Sequence, residues 1–235
     1  MFYLTIPFNY YISSQKYDLS LNFQMPVFKK YIGNNIDQNF KLCFWNIIES
    51  EKDLSLGLKI NSILKEKINS KKSLDHRKGI LSIRQLLKET DISNENQYYD
   101  DYGRPFLNDG RYISFSHSKK LSGIVISDKK IGIDIEKNQS KIINISPKFL
   151  NTIEKKFIIK KNISQITNIW TAKEAVYKAF KVNGIIFSEQ IIIDPFDKNS
   201  TEGLARVFFK NQIFKFHLFF FKIRNYSCTV ALSLQ

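Results

Sequence analysis

Two carboxylates lie close together in residues 131–136, which have the sequence IGIDIE. Because side chains alternate between the two faces of a β-strand, Asp134 and Glu136 would share a face with Gly132, opposite the isoleucines. Neighbouring carboxylates raise each other's pKa unless a cation lies between them, and Mg²⁺ is often held by one or two carboxylates together with substrate phosphates. The segment therefore predicts a strand with a buried isoleucine face, a metal-binding face and a glycine that leaves room for a bulky neighbour. A strand with two solvated acids would show the same pattern.

Residues 170–180, WTAKEAVYKAF, have the periodicity of an amphipathic helix. Trp170, Tyr177 and Phe180 fall near one stripe, which is typical of a face packed on a core. Glu174 and Lys178 are four residues apart and are predicted to be neighbours on the helix surface. By itself such a pair is a common helix-stabilising contact, worth about 0.2–0.5 kcal/mol.

Two further motifs precede these segments: Gly103-Arg104-Pro105-Phe106, and ISFSHS at residues 113–118. We predict that Ser116, His117 and Ser118 form a loop between two strands. A lone histidine is more often structural, but one flanked by two hydroxyls can donate several hydrogen bonds to an anion.

The motifs GRPF, ISFSHS, GIDIE and WxxKEAxxK occur in this order along the chain. Together they resemble the signature of the 4'-phosphopantetheinyl transferases, specifically the two-lobed surfactin-type branch. The resemblance covers roughly residues 25–195 and is best after Ser114. It implies an enzyme that transfers the 4'-phosphopantetheine arm of coenzyme A to a serine of an acyl or peptidyl carrier protein and releases adenosine 3',5'-bisphosphate.

The resemblance also implies roles for individual residues. Asp134, Glu136 and Glu174 would hold Mg²⁺, with Mn²⁺ as a possible substitute. Glu174 would act as the base and Lys178 would balance charge on the phosphate. The residues implied in coenzyme A binding are Arg77, Arg84, Arg104, Ser116, His117 and Lys178. Arg77 and Arg84, seven residues apart on a predicted helix at 74–89, would share a face with Leu81, although a solvated basic stripe would look the same.

Composition places this chain of 235 residues, 43% hydrophobic and 25% charged, among globular proteins. Its net charge of +14 suits an acidic carrier protein, as the resemblance implies, but also nucleic acid or an anionic membrane, and biased codon usage would give a similar excess. A nucleic-acid-binding protein is therefore one alternative, although the three acids would lie unfavourably in its cleft. A catalytically inactive relative that binds carrier proteins is another, although none of the motif acids is missing.

The two cysteines are too few for a disulfide scaffold or a four-cysteine zinc site, which favours a reduced cytoplasmic protein. No apolar run approaches the roughly 18 residues of a membrane span, and the N-terminus lacks the pattern of a signal peptide. We expect no nucleic-acid or membrane partner, and two lobes in one chain would make a monomer sufficient.

The predicted fold class is α+β. The resemblance implies two pseudo-symmetric lobes, each a small, mostly antiparallel sheet packed on a long helix, with the ligand site at their interface. Residues 1–24 are expected to be a poorly ordered N-terminal extension, residues 25–112 the first lobe, and residues 113–235 the second lobe with the metal and catalytic motifs. Further helix signal lies at 55–66.

Overall fold

The computed structural model describes residues 29–32, 40–90, 92, 96–101, 103–159 and 162–234, with the first range described for its backbone only. The predicted extension, residues 1–24, lies outside these ranges. The strands are β1 (Lys29–Ile32), β2 (Phe40–Asn46), β3 (Gln97–Tyr99), β4 (Pro105–Leu107), β5 (Tyr112–Ser118), β6 (Leu121–Ser127), β7 (Ile131–Lys137), β8 (Ile191–Ile193), β9 (Glu202–Phe209), β10 (Gln212–Ile223) and β11 (Tyr226–Ser233). The α-helices are α1 (Glu51–Ser55), α2 (Ser62–Asn69), α3 (Leu74–Glu89), α4 (Lys141–Ile145), α5 (Thr152–Phe157), α6 (Ile163–Phe180) and α7 (Phe187–Gln190). None of these helices is long and apolar enough to cross a membrane.

The first sheet has four antiparallel strands in the order β1-β2-β6-β5. Helix α3 packs on one of its faces, where Leu86 and Leu87 join Ile113 and Ile124 in a buried cluster. The bounds of α3 are those predicted from the sequence. Strands β3 and β4 form a separate two-stranded ladder between α3 and β5.

The helix predicted at residues 55–66 is wrong in its bounds. Helix α1 ends at Ser55 and α2 begins only at Ser62. Gly57 has a φ of +70°, which interrupts a helical path. The Asn61 side chain then accepts a hydrogen bond from the Leu64 amide at 2.9 Å, so it caps a new helix. The predicted helix ran across this break because the helical periodicity of the sequence continues through Gly57 and Asn61.

The second sheet has five antiparallel strands in the order β7-β11-β10-β9-β8. On β7, Ile131, Ile133 and Ile135 are buried as predicted. Gly132 lies on the opposite face, where a Cβ atom would come within 2.0 Å of the Ala175 carbonyl oxygen of α6. The bulky neighbour admitted by this glycine is therefore the backbone of α6.

The two sheets pack face to face between the two long helices, so the layer order is α3, first sheet, second sheet, α6. Phe40 and Leu42 of β2 lie in one buried cluster with Ile133 of β7 and Phe219 of β10. The Phe40 and Phe219 ring centroids are 5.1 Å apart. On the far side of the second sheet, α6 buries its apolar face against the strands. This arrangement confirms the α+β class with small antiparallel sheets packed on helices.

The predicted lobe boundary at residues 112/113 separates strands that belong to one sheet. Strands β5 and β6 pair with each other and β6 pairs with β2, so by sheet membership the division falls between Ser127 and Ile131. Sequence alone favoured the earlier boundary because β5, β6 and β7 follow one another as a meander. The pseudo-symmetry of two lobes stays a prediction.

Candidate active site

Serine hydroxyls on β5 connect the edges of the two sheets. Ser114 Oγ accepts a hydrogen bond from the Ile133 amide, and Ser116 Oγ accepts one from the Ile135 amide, each at 3.2 Å. Ser116 Oγ also donates to Asp134 Oδ1 at 2.9 Å. These bonds take the place of a backbone ladder between β5 and β7, and they fix the backbone of β7 around Asp134.

Asp134 is 6% exposed and lies between β5 and α6. Its Oδ1 atom accepts from Ser116 and also from Lys178 Nζ at 2.7 Å, while Lys178 Nζ donates to the Ile133 carbonyl at 2.9 Å. Its Oδ2 atom is buried and has no hydrogen-bond partner among the described residues. A buried carboxylate oxygen without a partner is costly, so this atom is available to a ligand.

Glu174 and Glu136 lie close enough to Asp134 for its charge to raise their pKa values. Burial, together with the charges of Asp134 and Glu136, raises the pKa of Glu174 to about 7 against the opposing effect of Lys178. Burial also raises the pKa of Glu136, and Asp134 adds to this effect. Ser118 Oγ donates to Glu136 Oε2 at the long distance of 3.4 Å. The structure thus brings together the three acids that the sequence singled out, and their mutual repulsion favours a cation among them.

The donor set suits a divalent metal ion, although the side chains do not yet converge on one point. No group of three His, Cys, Asp or Glu side chains in the described ranges is arranged around a common metal position. The unpartnered Asp134 Oδ2 and the raised pKa values of Glu136 and Glu174 nevertheless fit a hard cation with oxygen ligands. Asp134, Glu136 and Glu174 are the residues that would hold it.

Lys178 points across to β7. The sequence predicted a surface pair between Lys178 and Glu174, but the ammonium pairs with Asp134 instead. The reason is the close approach of α6 to β7 at Gly132, which brings the helix face with Lys178 onto the strand. The side chain of Lys178 remains 30% exposed, so one part of this lysine faces solvent at the edge of the acid cluster.

His117 and its flanking serines lie within strand β5, so the predicted loop is wrong. The turn follows at Lys119 and Lys120, and His117 pairs with Ser122 of β6. Strand alternation sends Ser116 and Ser118 towards β7 and His117 towards α3. The two hydroxyls therefore contact the acids of β7 rather than an anion beside the histidine.

The His117 ring packs against Gly79 of α3, where a Cβ atom would come within 2.4 Å of Nδ1. The ring centroid of His76, also on α3, is 5.9 Å from that of His117. Burial, together with the charges of His76 and Lys178, lowers the pKa of His117 to about 4. His117 is therefore neutral at pH 7 and offers hydrogen bonds rather than charge. The glycine inside the α3 pattern was the sequence signal for this contact.

The two arginines of α3 are held by protein groups. Arg77 Nε donates to Glu51 at 3.0 Å and Nη1 donates to the carbonyls of Lys71 and Lys72. Arg84 is 6% exposed, with Nη1 donating to Gln97 Oε1 at 2.6 Å and Nη2 to the Tyr99 hydroxyl at 2.8 Å. The structure does not place either arginine in contact with the acid cluster, and their coenzyme A contacts stay predictions.

Arg104 extends towards the C-terminal end of α6. Its guanidinium donates to the Lys181 carbonyl and to the Asn183 side chain. The Lys181 ammonium lies 4.0 Å from the ring centroid of Phe106, in the same GRPF motif as Arg104. This motif therefore attaches the start of β4 to the end of the helix that carries Glu174.

One buried ion pair was missed from the sequence. Lys173 and Glu154 are both fully buried, and Lys173 Nζ lies 2.9 Å from Glu154 Oε1. Burial lowers the pKa of Lys173, and Glu154 opposes that effect. The available signal was the capping box formed by Asn151 and Glu154, which marks the start of α5.

Comparison with known proteins adds an independent observation. Residues 130–231 match the family model described as the 4'-phosphopantetheinyl transferase superfamily. The matched range contains all three acids and Lys178, whereas Arg77, Arg84, Arg104 and His117 lie outside it.

Individual relatives point the same way. The chain is 30% identical over 142 residues to "4'-phosphopantetheinyl transferase gsp" of Aneurinibacillus migulanus. This alignment covers 57% of this chain and 59% of the relative. It is 26% identical over 139 residues to "Enterobactin synthase component D" of Salmonella typhi, covering 57% and 56%. The protein of the same name from Salmonella typhimurium is 30% identical over 115 residues, covering 47% and 49%. The chain thus spans about half the length of the curated relatives it matches.

Proposed function

We propose that this protein transfers the 4'-phosphopantetheine arm of coenzyme A to a serine of an acyl or peptidyl carrier protein and releases adenosine 3',5'-bisphosphate. The observation that carries the proposal is the acid cluster at the contact of β7 and α6, where Asp134 Oδ2 is buried without a hydrogen-bond partner. The cluster lies within the residues that match the superfamily.

The reaction requires positioning and charge neutralisation more than covalent chemistry. The serine oxygen forms a bond to the β-phosphorus of coenzyme A, the bond from that phosphorus to the bridging oxygen breaks, and the serine proton passes to a base. Negative charge surrounds the phosphorus throughout, so fixed positive groups and exclusion of water determine the rate.

Asp134, Glu136 and Glu174 are proposed to hold Mg²⁺, or Mn²⁺ in its place. When bound, the metal ion supplies charge neutralisation at the pyrophosphate. Lys178 is proposed to stabilise negative charge on the phosphate, because its ammonium already lies beside Asp134 and is partly open to solvent. A lysine provides a compact positive charge for this purpose.

Glu174 is proposed to accept the serine proton. An ordinary glutamate would be ionised at neutral pH but a weak base. Burial raises the pKa of Glu174 to about 7, which is close to the value at which a general base works best at neutral pH. The same side chain is a proposed metal ligand, so ligation and proton transfer would be linked at this residue.

The coenzyme A contacts proposed from the resemblance are Arg77, Arg84, Arg104, Ser116, His117 and Lys178. The structure supports His117 in this role as a neutral hydrogen-bonding group next to His76. Both terminal amino groups of Arg84 donate hydrogen bonds to protein groups, Gln97 and Tyr99, so a structural role for this arginine is also supported. An acidic carrier protein would associate faster with a chain of net charge +14.

The direct test is intact-mass spectrometry of an apo acyl carrier protein incubated with this protein, coenzyme A and Mg²⁺. We expect the carrier to gain the mass of the phosphopantetheine arm and the gain to disappear with a chelator. Replacing the acceptor serine of the carrier by alanine is the matched control and should abolish the gain. If several apo carriers gain no mass while coenzyme A still binds, the inactive-relative alternative is favoured. Salt-dependent retention on DNA without coenzyme A binding would favour the nucleic-acid alternative.

A further inference from the structure

The ammonium of Lys173 is enclosed on the side of α6 that faces away from β7. The side chain is 0% exposed, and Nζ lies 2.9 Å from Glu154 Oε1. It also donates to the carbonyls of Phe187 at 2.7 Å and Ile191 at 2.6 Å. A lysine ammonium has three hydrogens to donate, and these contacts use all of them.

Glu154 has other partners besides Lys173. Its Oε2 accepts from the Asn151 amide at 3.0 Å, and its Oε1 accepts from the Ile193 amide at 2.9 Å. Replacing a buried ion pair by uncharged groups of similar volume is often tolerated, although removal of one partner is not. The ion pair by itself therefore does not explain a lysine at this position, and its remaining contacts are the two carbonyls to which the ammonium donates.

Those carbonyls belong to the connection from α6 to β8. Phe187 begins α7, and Ile191 begins β8. The Phe187 ring also contacts α6 on both sides of Lys173, with ring centroids 5.8 Å from Trp170 and 5.5 Å from Tyr177. Lys173 and its two carbonyls thus join the middle of α6 to a segment packed along the same turns.

The geometry of α6 relates this contact to the acid cluster. Successive residues of an α-helix are turned by about 100° from one another. Glu174 follows Lys173 directly and lies in the field of Asp134, and Lys178, one turn later, reaches Asp134 itself. Any rotation of α6 about its axis that releases Lys173 from its carbonyls would also displace Glu174 and Lys178 from β7.

We propose that Lys173 is a positioning residue, whose hydrogen bonds to the Phe187 and Ile191 carbonyls set the rotation of α6 and so the placement of Glu174 and Lys178 against Asp134. This inference rests on the proposed transferase function for its catalytic consequence. Its structural part, the link between α6 and residues 187–191, does not depend on that function.

The test compares Glu154→Gln with the double variant Glu154→Gln/Lys173→Met. Both remove the Glu154 carboxylate and keep side-chain volume, but Glu154→Gln retains the Lys173 ammonium and its bonds to the two carbonyls, whereas the double variant loses this donor. We expect Glu154→Gln to melt at a lower temperature than the double variant, because it leaves the buried ammonium without its carboxylate. We expect kcat for transfer to fall at least tenfold in the double variant relative to Glu154→Gln, which corresponds to a loss of about 1.4 kcal/mol of transition-state stabilisation. The KM for coenzyme A should change by no more than about twofold. Hydrogen exchange should become faster in residues 185–193 of the double variant only.

Equal kcat values in the two variants, with equal exchange, would overturn the proposal and leave the pair a purely structural one. A proportional fall in melting temperature and kcat would overturn it as well. Should the double variant fail to fold, Glu154→Gln/Lys173→Gln removes the same two charges but keeps a shorter amide donor at position 173, and hydrogen exchange in residues 185–193 relative to wild type is the readout. Absence of transfer by the wild-type protein would contradict the proposed function, whereas exchange in residues 185–193 would still decide the structural link.

Discussion

The charged groups at the contacts of the two long helices differ in their hydrogen-bond partners. On α3, Arg77 and Arg84 donate to Glu51, Gln97 and backbone carbonyls, although Arg84 Nε is buried without a partner among the described residues. Where α6 meets β7, Asp134 keeps one buried oxygen without a partner among the described residues. Satisfied polar groups rigidify a structure, and unsatisfied ones cost stability unless a ligand completes them. The difference supports the proposal that the chemistry takes place at the β7–α6 contact, with the first sheet holding β5 and His117 in place.

Asp134→Asn should have the largest effect on activity. The substitution keeps an oxygen for Ser116 and Lys178 but removes the charge needed by a metal ion, so we expect transfer to fall by roughly 10³-fold. The melting temperature should remain unchanged or rise, because a buried charge is removed. The measurement is kcat by intact-mass assay together with thermal unfolding.

Asp109→Asn is the matched control for that loss, since Asp109 is an exposed acid paired with Arg111 outside the cluster. It should transfer at the wild-type rate. Near-normal transfer by Asp134→Asn would remove the contrast between the two helices.

Gly132→Ala should damage both fold and activity. The added Cβ would lie 2.0 Å from a backbone oxygen of α6, which cannot move without displacing the helix. We expect a loss of about 3 kcal/mol or more in the free energy of unfolding and a fall in transfer, measured by denaturant titration and the mass assay.

Gly79→Ala is its counterpart on α3. There the Cβ would meet the ring of His117, a side chain that can turn away. We expect a smaller loss of stability than for Gly132→Ala. An equal or larger loss at Gly79 would indicate that the first sheet, rather than the β7–α6 contact, is the tightly constrained part.

Arg84→Met should lower stability by about 2–3 kcal/mol, because Gln97 Oε1 and the Tyr99 hydroxyl lose a buried charged donor. At a temperature where the variant is folded, we expect kcat close to wild type. The KM for coenzyme A decides between the two roles proposed for this arginine. An unchanged KM assigns Arg84 to structure, and a KM raised tenfold without loss of stability assigns it to phosphate binding.

The smallest effect on stability is expected for Glu174→Gln, as a pH-dependent gain in the absence of metal. The folded pKa of Glu174 is raised to about 7 from an ordinary 4.5. Between these values the folded state binds more protons than the unfolded state, so stability decreases as the pH rises. The variant should melt roughly 2–6 °C above wild type at pH 8 and at the same temperature below pH 4.5. A constant difference across this range would contradict the raised pKa.

The sequence predicted those features that depend on local pattern. Alternation placed Ile131, Ile133 and Ile135 in the core, and the motifs grouped Glu174 with the acids of β7 across some 40 residues of chain. It also predicted the bounds of α3, whose periodicity is uninterrupted.

Features that depend on contacts between elements were not predicted. The direction of Lys178 follows from the close approach of α6 at Gly132, which no local pattern contains. His117 was placed in a loop because a polar SHS segment resembles one, yet pairing with β6 extends the strand through Ser118. The Lys173–Glu154 pair joins two helices whose sequences each suggest only ordinary surface charges.

The most direct test of the central claim is Mn²⁺ binding followed by electron paramagnetic resonance, with coenzyme A present, on wild type and Asp134→Asn. The account predicts one bound Mn²⁺ per wild-type chain, displaced by Mg²⁺, and at least tenfold weaker binding to Asp134→Asn. Binding of equal strength to both proteins would show that the metal ion is held elsewhere and would contradict the assignment of the acid cluster as the active site.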